Sequence, residues 1–366
     1  LPENWKTEWD KNGNDVPDAA PFATIPNLGK VLGGTRPLLA CTNIRNPRQA
    51  QIAAKLGFGY CRLFTGWADL NPRRGVYVME PLLKTLDSLN AEGIRPWVLL
   101  TGAPEWAMPD DVHAPGYCPF PFDEKGWEES IRQIASACKG KVWGFEWLNE
   151  ISQGDKTKHL VEDYVKFCRI GTKVLREVDP TARVQMAGGL WPRSYRLDVI
   201  RGGVLDAIDV LPVHYGSYGS VAEAIRDAKA GGCEDVWDNE SARGISVWKM
   251  SPLEQLYCSV TQCSYLLRQW PGEFVAGAKA VTYFGGEANA PGNWTYLLDD
   301  YTPRPVLATL AVFASKLGGS TPVGAAYLSP GAIVYLFRRT DGKGLAYVMS
   351  ESEGCEKPSH YSASAQ

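Results

Sequence analysis

The chain has 366 residues, 45% hydrophobic and 22% charged, with a formal charge of −3 and a pI near 5.9. That is enough for one large core with a small appendage, while the acidic balance argues against the basic face of a general nucleic-acid binder and no apolar run is long enough to span a bilayer. The opening Leu1-Pro2-Glu3-Asn4-Trp5 has no basic-then-apolar signal pattern, although a chain without an initiating Met leaves room for a removed leader.

Residues 1–36 read as a lead-in segment. From there β-rich runs alternate with helical patterns. The strand candidates are residues 37–43, 59–65, 95–101, 142–150, 183–190, 208–215, 234–240 and 278–284. Several helix ends are readable between them. Asn46-Pro47 supplies an N-cap and first helical residue, and Gly57 ends that helix. Asp123 caps a helix carrying Trp127, Ile131 and Ile134 that stops at Gly140, and Pro180 follows a long helix over 160–178. The eighth helix, 305–317, precedes Gly318-Gly319.

Eight strand–helix units predict a (β/α)8 TIM barrel over 37–319, with its active site at the strands' C-terminal ends. Three short strands follow at 323–329, 332–339 and 344–350, with turns at Pro330-Gly331 and Asp341-Gly342. They make 320–350 a small β appendage, part of a larger β-sandwich if more chain follows, and 351–366 a polar tail.

The nine cysteines are scattered, odd in number and without a C-x-x-C pair. Cys61 and Cys168 fall in apolar runs and read as buried thiols, which favours a reducing compartment over the alternative of a processed secreted chain. The four histidines, 113, 159, 214 and 360, form no H-x-H or H-E-x-x-H arrangement, so no catalytic zinc is expected.

Two glutamates close β-rich runs: Glu150 ends Val142-Trp-Gly-Phe-Glu-Trp-Leu-Asn-Glu150, and Glu240 ends Glu234-Asp-Val-Trp-Asp-Asn-Glu240. As the tips of barrel strands, they would converge on one face and could hold a sugar's anomeric carbon between two carboxyls. Glu146 alternates onto the face of Glu150 but deeper, which suits a structural or pKa-tuning role.

Further motifs stand in order along the chain. Arg62 lies near the end of the second strand, and Trp67-Ala-Asp-Leu-Asn-Pro72-Arg-Arg-Gly75-Val-Tyr77 follows it. Next come Ala103-Pro-Glu-Trp106-Ala after the third strand and Glu146-Trp-Leu-Asn149-Glu150 at the fourth. From about residue 37 to 284 the chain thereby resembles glycoside hydrolase clan A, the retaining (β/α)8-barrel glycosidases, nearest in motifs to families 39 and 42. It departs at Ile151, where many members have Pro, and at Ser241-Ala242-Arg243, where many have Gly or an aromatic residue. The family within the clan is left open.

The resemblance implies a retaining O-glycoside hydrolase acting on a β-type linkage of a carbohydrate substrate, with Glu150 as acid/base, Glu240 as nucleophile and no cofactor. Arg62 would keep the nucleophile ionised, Asn149 would hold the sugar's 2-hydroxyl, and His214-Tyr215 would orient Glu240 or touch the sugar. Trp67, Trp106 and Trp294 follow strand ends and become candidate subsite walls ahead of Trp143 and Trp270, with Tyr283 beside them. The third loop, 109–122, carries His113, Tyr117 and Cys118 and would wall one end of the cleft. Two other readings stand beside this one. One is a barrel that binds glycans without cleaving them, against which the glutamate pair counts. The other is an unrelated barrel enzyme using metal or phosphate chemistry, against which few histidines and no P-loop count. Oligomeric state is open.

Overall fold

The computed structural model describes residues 38–108, 120–152, 160–242, 252–285, 295–297, 301, 303–318, 320–329, 332–339 and 344–350. Eight parallel strands close a barrel in sequence order: β1 (Leu38–Thr42), β2 (Tyr60–Gly66), β3 (Arg95–Thr101), β4 (Gly144–Trp147), β5 (Arg183–Met186), β6 (Val210–His214), β7 (Asp235–Ser241) and β8 (Ala280–Tyr283). β1 pairs with both β2 and β8, which closes the ring. The barrel is wrapped by α1 (Pro47–Lys55), α2 (Glu80–Ala91), α3 (Glu124–Cys138), α4 (Val161–Val178), α5 (Arg193–Arg201), α6 (Tyr218–Ala230), α7 (Pro252–Ala276) and α8 (Pro305–Leu317). A one-turn helix, Trp67–Leu70, precedes α2.

Three of the helices start where a side chain satisfies a free amide. The Asn46 side chain accepts from Gln49 N ahead of Pro47, Asp123 accepts from Gly126 N, and Ser217 accepts from Ser220 N. Along α4 the buried residues Tyr164, Val165, Phe167, Cys168, Gly171, Thr172, Val174 and Leu175 recur at helical spacing and make one apolar face. Gly171 lets that face close on α3, since a Cβ there would stand 3.1 Å from the Trp127 ring.

Alternation along the strands divides the interior in two. One set of side chains packs outward under the helices. The other fills the lumen, where Ala40, Trp97, Val210, Trp237 and Ala280 form a separate buried cluster with Tyr60 and Trp143 against it. The rings of Trp143 and Trp237 stack at 4.6 Å. This layer plugs the barrel below the site, and Trp97 hands one hydrogen bond upward, its Nε1 donating to Glu146 at 3.0 Å.

Beyond the barrel, β9 (Thr321–Ser329), β10 (Ala332–Arg338) and β11 (Gly344–Ser350) form an antiparallel sheet in the order β11-β10-β9. It leans on α7, where buried Tyr335 brings its hydroxyl to 2.7 Å from where a Cβ of Gly272 would stand. Among the described residues Cys41, Cys61, Cys138, Cys168, Cys233 and Cys263 are free thiols, all but the last buried. No described helix is long and apolar enough to cross a membrane.

Candidate active site

Two backbone irregularities aim the glutamates. Regular β4 stops at Trp147, and Leu148 (φ 66°) and Glu150 (φ 48°) then adopt left-handed conformations. Strand alternation therefore does not carry Glu150 to the cleft; this kinked tip does, anchored where Leu148 N donates to Leu100 O at 3.0 Å and Glu150 N to Gly188 O at 3.1 Å. On β7, pairing with β6 runs Val213 to Asp238 and then His214 to Glu240, skipping Asn239. This bulge turns two successive side chains inward, Asn239 to Gln185 and Glu240 to Arg62.

Arg62 is the hub. Its side chain is fully buried and donates from Nε and Nη2 to Glu146 at 2.7 and 2.6 Å, from Nη1 to Glu240 Oε2 at 2.7 Å and from Nη2 to Asn149 Oδ1 at 2.8 Å. Burial opposes the guanidinium charge, but Glu146 and then Glu240 more than offset it and raise its affinity for the proton. Glu146 is thus the buried partner that holds the fork in place. Asn149 is oriented by the same fork, its oxygen accepting from Arg62 so that its NH2 is left to donate elsewhere.

His214 and Tyr215 divide their attention between the two glutamates. His214 Nδ1 lies 2.8 Å from Glu150 Oε1 and 3.8 Å from Glu240 Oε2, and one oxygen from each glutamate and the histidine nitrogen all lie within 4.8 Å of one another. Burial first, then the Arg62 charge, push the imidazole down to about 4 against the pull of Glu240 and Glu146. The ring is neutral near pH 7, so Nδ1 can accept a proton carried by Glu150 if Nε2 holds the ring's own hydrogen. Nε2 faces the Asn239 side chain, without a well-aligned hydrogen bond. The Tyr215 hydroxyl donates to Glu240 Oε1 at 2.8 Å, and burial together with that carboxylate keeps the phenol protonated.

The floor beneath these groups admits no side chain. A Cβ on Gly188 would stand 2.2 Å from His214 Nε2, and one on Gly189 (φ 65°) would stand 2.7 Å from His214 Nδ1 and 2.8 Å from Glu150 Cγ. Glu150 is the more open carboxylate, 19% exposed against 7% for Glu240. Such close donors could suit a cation, but Arg62 already brings a fixed positive charge to Glu240, and the spacing serves proton transfer equally well.

Arg62, Asn149, Glu150, His214, Tyr215 and Glu240 are therefore brought together. The aromatic expectations divide. Trp67 is a core residue, fully buried against Trp106, Trp127 and Phe167, because the one-turn helix it starts folds back on α3 and α4. Trp106 is half-buried, with Nε1 donating to Asn71 O at 2.9 Å and Arg74 lying 4.7 Å over its ring. Tyr283 is fully buried between Trp270 and Tyr296, and its hydroxyl accepts from Gln262 at 3.2 Å. Trp294 lies outside the described residues, as do His113, Tyr117 and Cys118 of the third loop. An aromatic residue not singled out from sequence does reach the site: Trp191, 44% exposed after β5, has its ring 6.1 Å from that of His214. Its place after the Gly188-Gly189 turn was the signal available.

No protein-family model matches the chain, and no curated protein matches it in sequence. Solved structures do match in fold. A family 39 glycoside hydrolase from Bacteroides cellulosilyticus WH2 superposes with a TM-score of 0.70 at 17% identity, over 88% of this chain and 72% of that one. The exo-β-1,4-mannosidase Op5Man5 from Opitutaceae bacterium strain TAV5 gives 0.58 at 18% identity, over 77% and 60%. Xylanase XynB from Paenibacillus barcinonensis gives 0.56 at 14% identity, over 79% and 98%. At these identities the likeness establishes a shared barrel fold, and the expected resemblance holds at that level.

Proposed function

We propose that the chain is a retaining O-glycoside hydrolase that cleaves a β-type linkage by double displacement. One observation carries the reading: two carboxylates with oxygens within 4.8 Å of each other, one pinned by a buried arginine and the other facing a neutral imidazole. A retaining pair needs about 5–5.5 Å between carboxyls, whereas an inverting pair leaves about 6.5–9.5 Å for a water. The partners differ in kind, which separates the roles. Arg62 and Tyr215 each donate to one oxygen of Glu240 and so hold the carboxyl in place for attack on C1. Glu150 faces His214 Nδ1, an acceptor when the ring's hydrogen is on Nε2, which suits a carboxyl that holds a proton for the departing oxygen and afterwards takes one from water. Names such as exo-β-1,4-mannosidase among the structural neighbours support the β-type linkage.

Azide tests the assignment. With an activated aryl β-glycoside, Glu240→Ala should form the glycosyl azide of inverted configuration, because azide fills the space of the missing nucleophile. Glu150→Ala should instead form the retained azide, by attack on an intact glycosyl-enzyme. Exchanged stereochemistry would reverse the roles, and a parent protein inactive on a broad panel of β-glycosides would sink the hydrolase reading.

A further inference from the structure

Behind the nucleophile lies a second pair of carboxyls. Asp238, two residues before Glu240 and on the other side of the bulge, meets Glu273 of α7, and both side chains are fully buried. The Asp238 carboxyl accepts at Oδ1 from Glu240 N (3.1 Å) and at Oδ2 from Gly216 N (2.7 Å). Glu273 packs close enough to Asp238 for each carboxyl to raise or lower the other's proton affinity, and neither of its oxygens finds a hydrogen-bond donor among the described residues. A Cβ on Gly216 would stand 3.0 Å from Asp238 Oδ2 and 3.0 Å from Glu273 Oε2, so glycine lets the β6 tip close on both carboxyls.

Two carboxyls in such contact away from water cannot both be anions. Two backbone N–H groups aim at Asp238 and favour its charge; among the described residues none aims at Glu273. The proton therefore belongs on Glu273, which donates it to Asp238. We propose that Asp238 and Glu273 share one proton and act as positioning residues: the Asp238 carboxylate, held by the Glu273 O–H, ties Glu240 N to Gly216 N and so fixes the tips of β6 and β7 that carry His214, Tyr215 and Glu240. The catalytic consequence rests on the hydrolase reading above; the shared proton does not.

Burial is the main force raising the proton affinity of both groups, with the charge of Glu240 adding to it at Asp238 and that of Asp238 adding to it at Glu273. The titratable groups around the pair are Glu240 on β7, His214 and Tyr215 at the β6 tip, Tyr218 on α6 and Tyr335 on β10; the register partner on β8 is the apolar Val281. No cation contacts either carboxyl among the described residues, so losing the shared proton leaves two buried like charges and loosens the clamp.

Glu273→Gln keeps a donor to Asp238 but has no proton to lose, while Glu273→Leu removes the donor. In a Glu150→Gln background, which removes the other carboxyl expected to carry a proton, the expected result is a protonated-carboxyl C=O band in the infrared at neutral pH that Glu273→Gln abolishes; in the otherwise parental protein Glu273→Gln should keep near-parental kcat at mildly acid pH, and Glu273→Leu should lower kcat about tenfold with KM unchanged, the scale of one lost charge-assisted hydrogen bond. A band that persists when Glu273→Gln is added to Glu150→Gln, or equal losses of kcat in the single Gln and Leu variants, would each overturn the proposal. The band reports the shared proton whether or not a glycoside is turned over, which separates failure of this inference from failure of the hydrolase reading.

Discussion

His214 Nδ1 stands 2.8 Å from Oε1 of Glu150, a full ångström nearer than to Glu240. With its hydrogen on Nε2, the buried neutral imidazole accepts from the acid form of Glu150, and Gly189 beneath the two leaves no room for a side chain there. In His214→Phe that acceptor is gone, so the acid form of Glu150 is less favoured. The alkaline limb of kcat/KM is expected to move to lower pH; a limb that stays in place would mean that His214 only fills space.

The same histidine shapes stability. Its folded-state value is lowered from 6.5 to about 4, so the unfolded chain binds its proton first as pH falls. The sign is a loss of stability on acidification between about pH 6.5 and 4, at most about 3 kcal/mol from this group. Urea unfolding of the parent and His214→Phe at several pH values in that window should show the slope flatten in the variant.

Arg62 neutralises two buried carboxylates and orients Asn149. Removing it by Arg62→Met strands Glu146 and Glu240 without a counter-charge, which should cost about 3–5 kcal/mol of folding stability and abolish turnover. Adding Glu146→Gln to that variant should return part of the stability and none of the activity. Full additivity of the two substitutions would contradict the hub.

Because the oxygen of Asn149 is committed to Arg62, its NH2 is the part available to a sugar hydroxyl. Asn149→Ala should lower kcat and kcat/KM together, by about a hundredfold on a 2-hydroxy glycoside and much less on the matched 2-deoxy glycoside, since contacts at O2 strengthen in the transition state. Equal losses on both substrates would assign Asn149 to the strand tip instead.

Trp191 stands beside His214 and its N–H donates to Ser152, two residues past Glu150, the side from which the proposed mechanism sends the leaving group. Trp191→Ala should raise KM for a disaccharide by about five- to tenfold and leave a methyl glycoside of the same sugar nearly unaffected, the scale of one stacking contact. An equal effect on both would place the ring in the glycone subsite.

The barrel and the core of the site were legible because β-rich runs alternate with capped helical patterns, and because Glu150 and Glu240 close β-rich runs while Arg62 lies within the second. What sequence could not supply were features set by tertiary packing. The Asn239 bulge and the left-handed Leu148 and Glu150 leave no periodic trace. Trp67 follows a strand end as a subsite wall would, yet a one-turn helix folds it into the core. Glu273 reads as an ordinary helical acid after Pro271-Gly272, and only the packing of α7 on β7 brings it to Asp238.

The bond between Arg62 and Glu240 joins residues 178 positions apart, and the Arg62–Glu146 contact joins residues 84 apart. Loop-closure entropy makes such a contact late to form. A nascent chain that has built β2 to β4 can already hold Arg62 on Glu146, but the guanidinium reaches its second carboxylate only when β7 docks. β8 must then meet β1 across the seam, where Gly285 N donates to Thr42 Oγ1 at 2.9 Å. Acquisition of the site and closure of the ring thus become one kinetic event, and refolding intermediates that have not docked β7 should carry much of the helical signal with none of the chemistry.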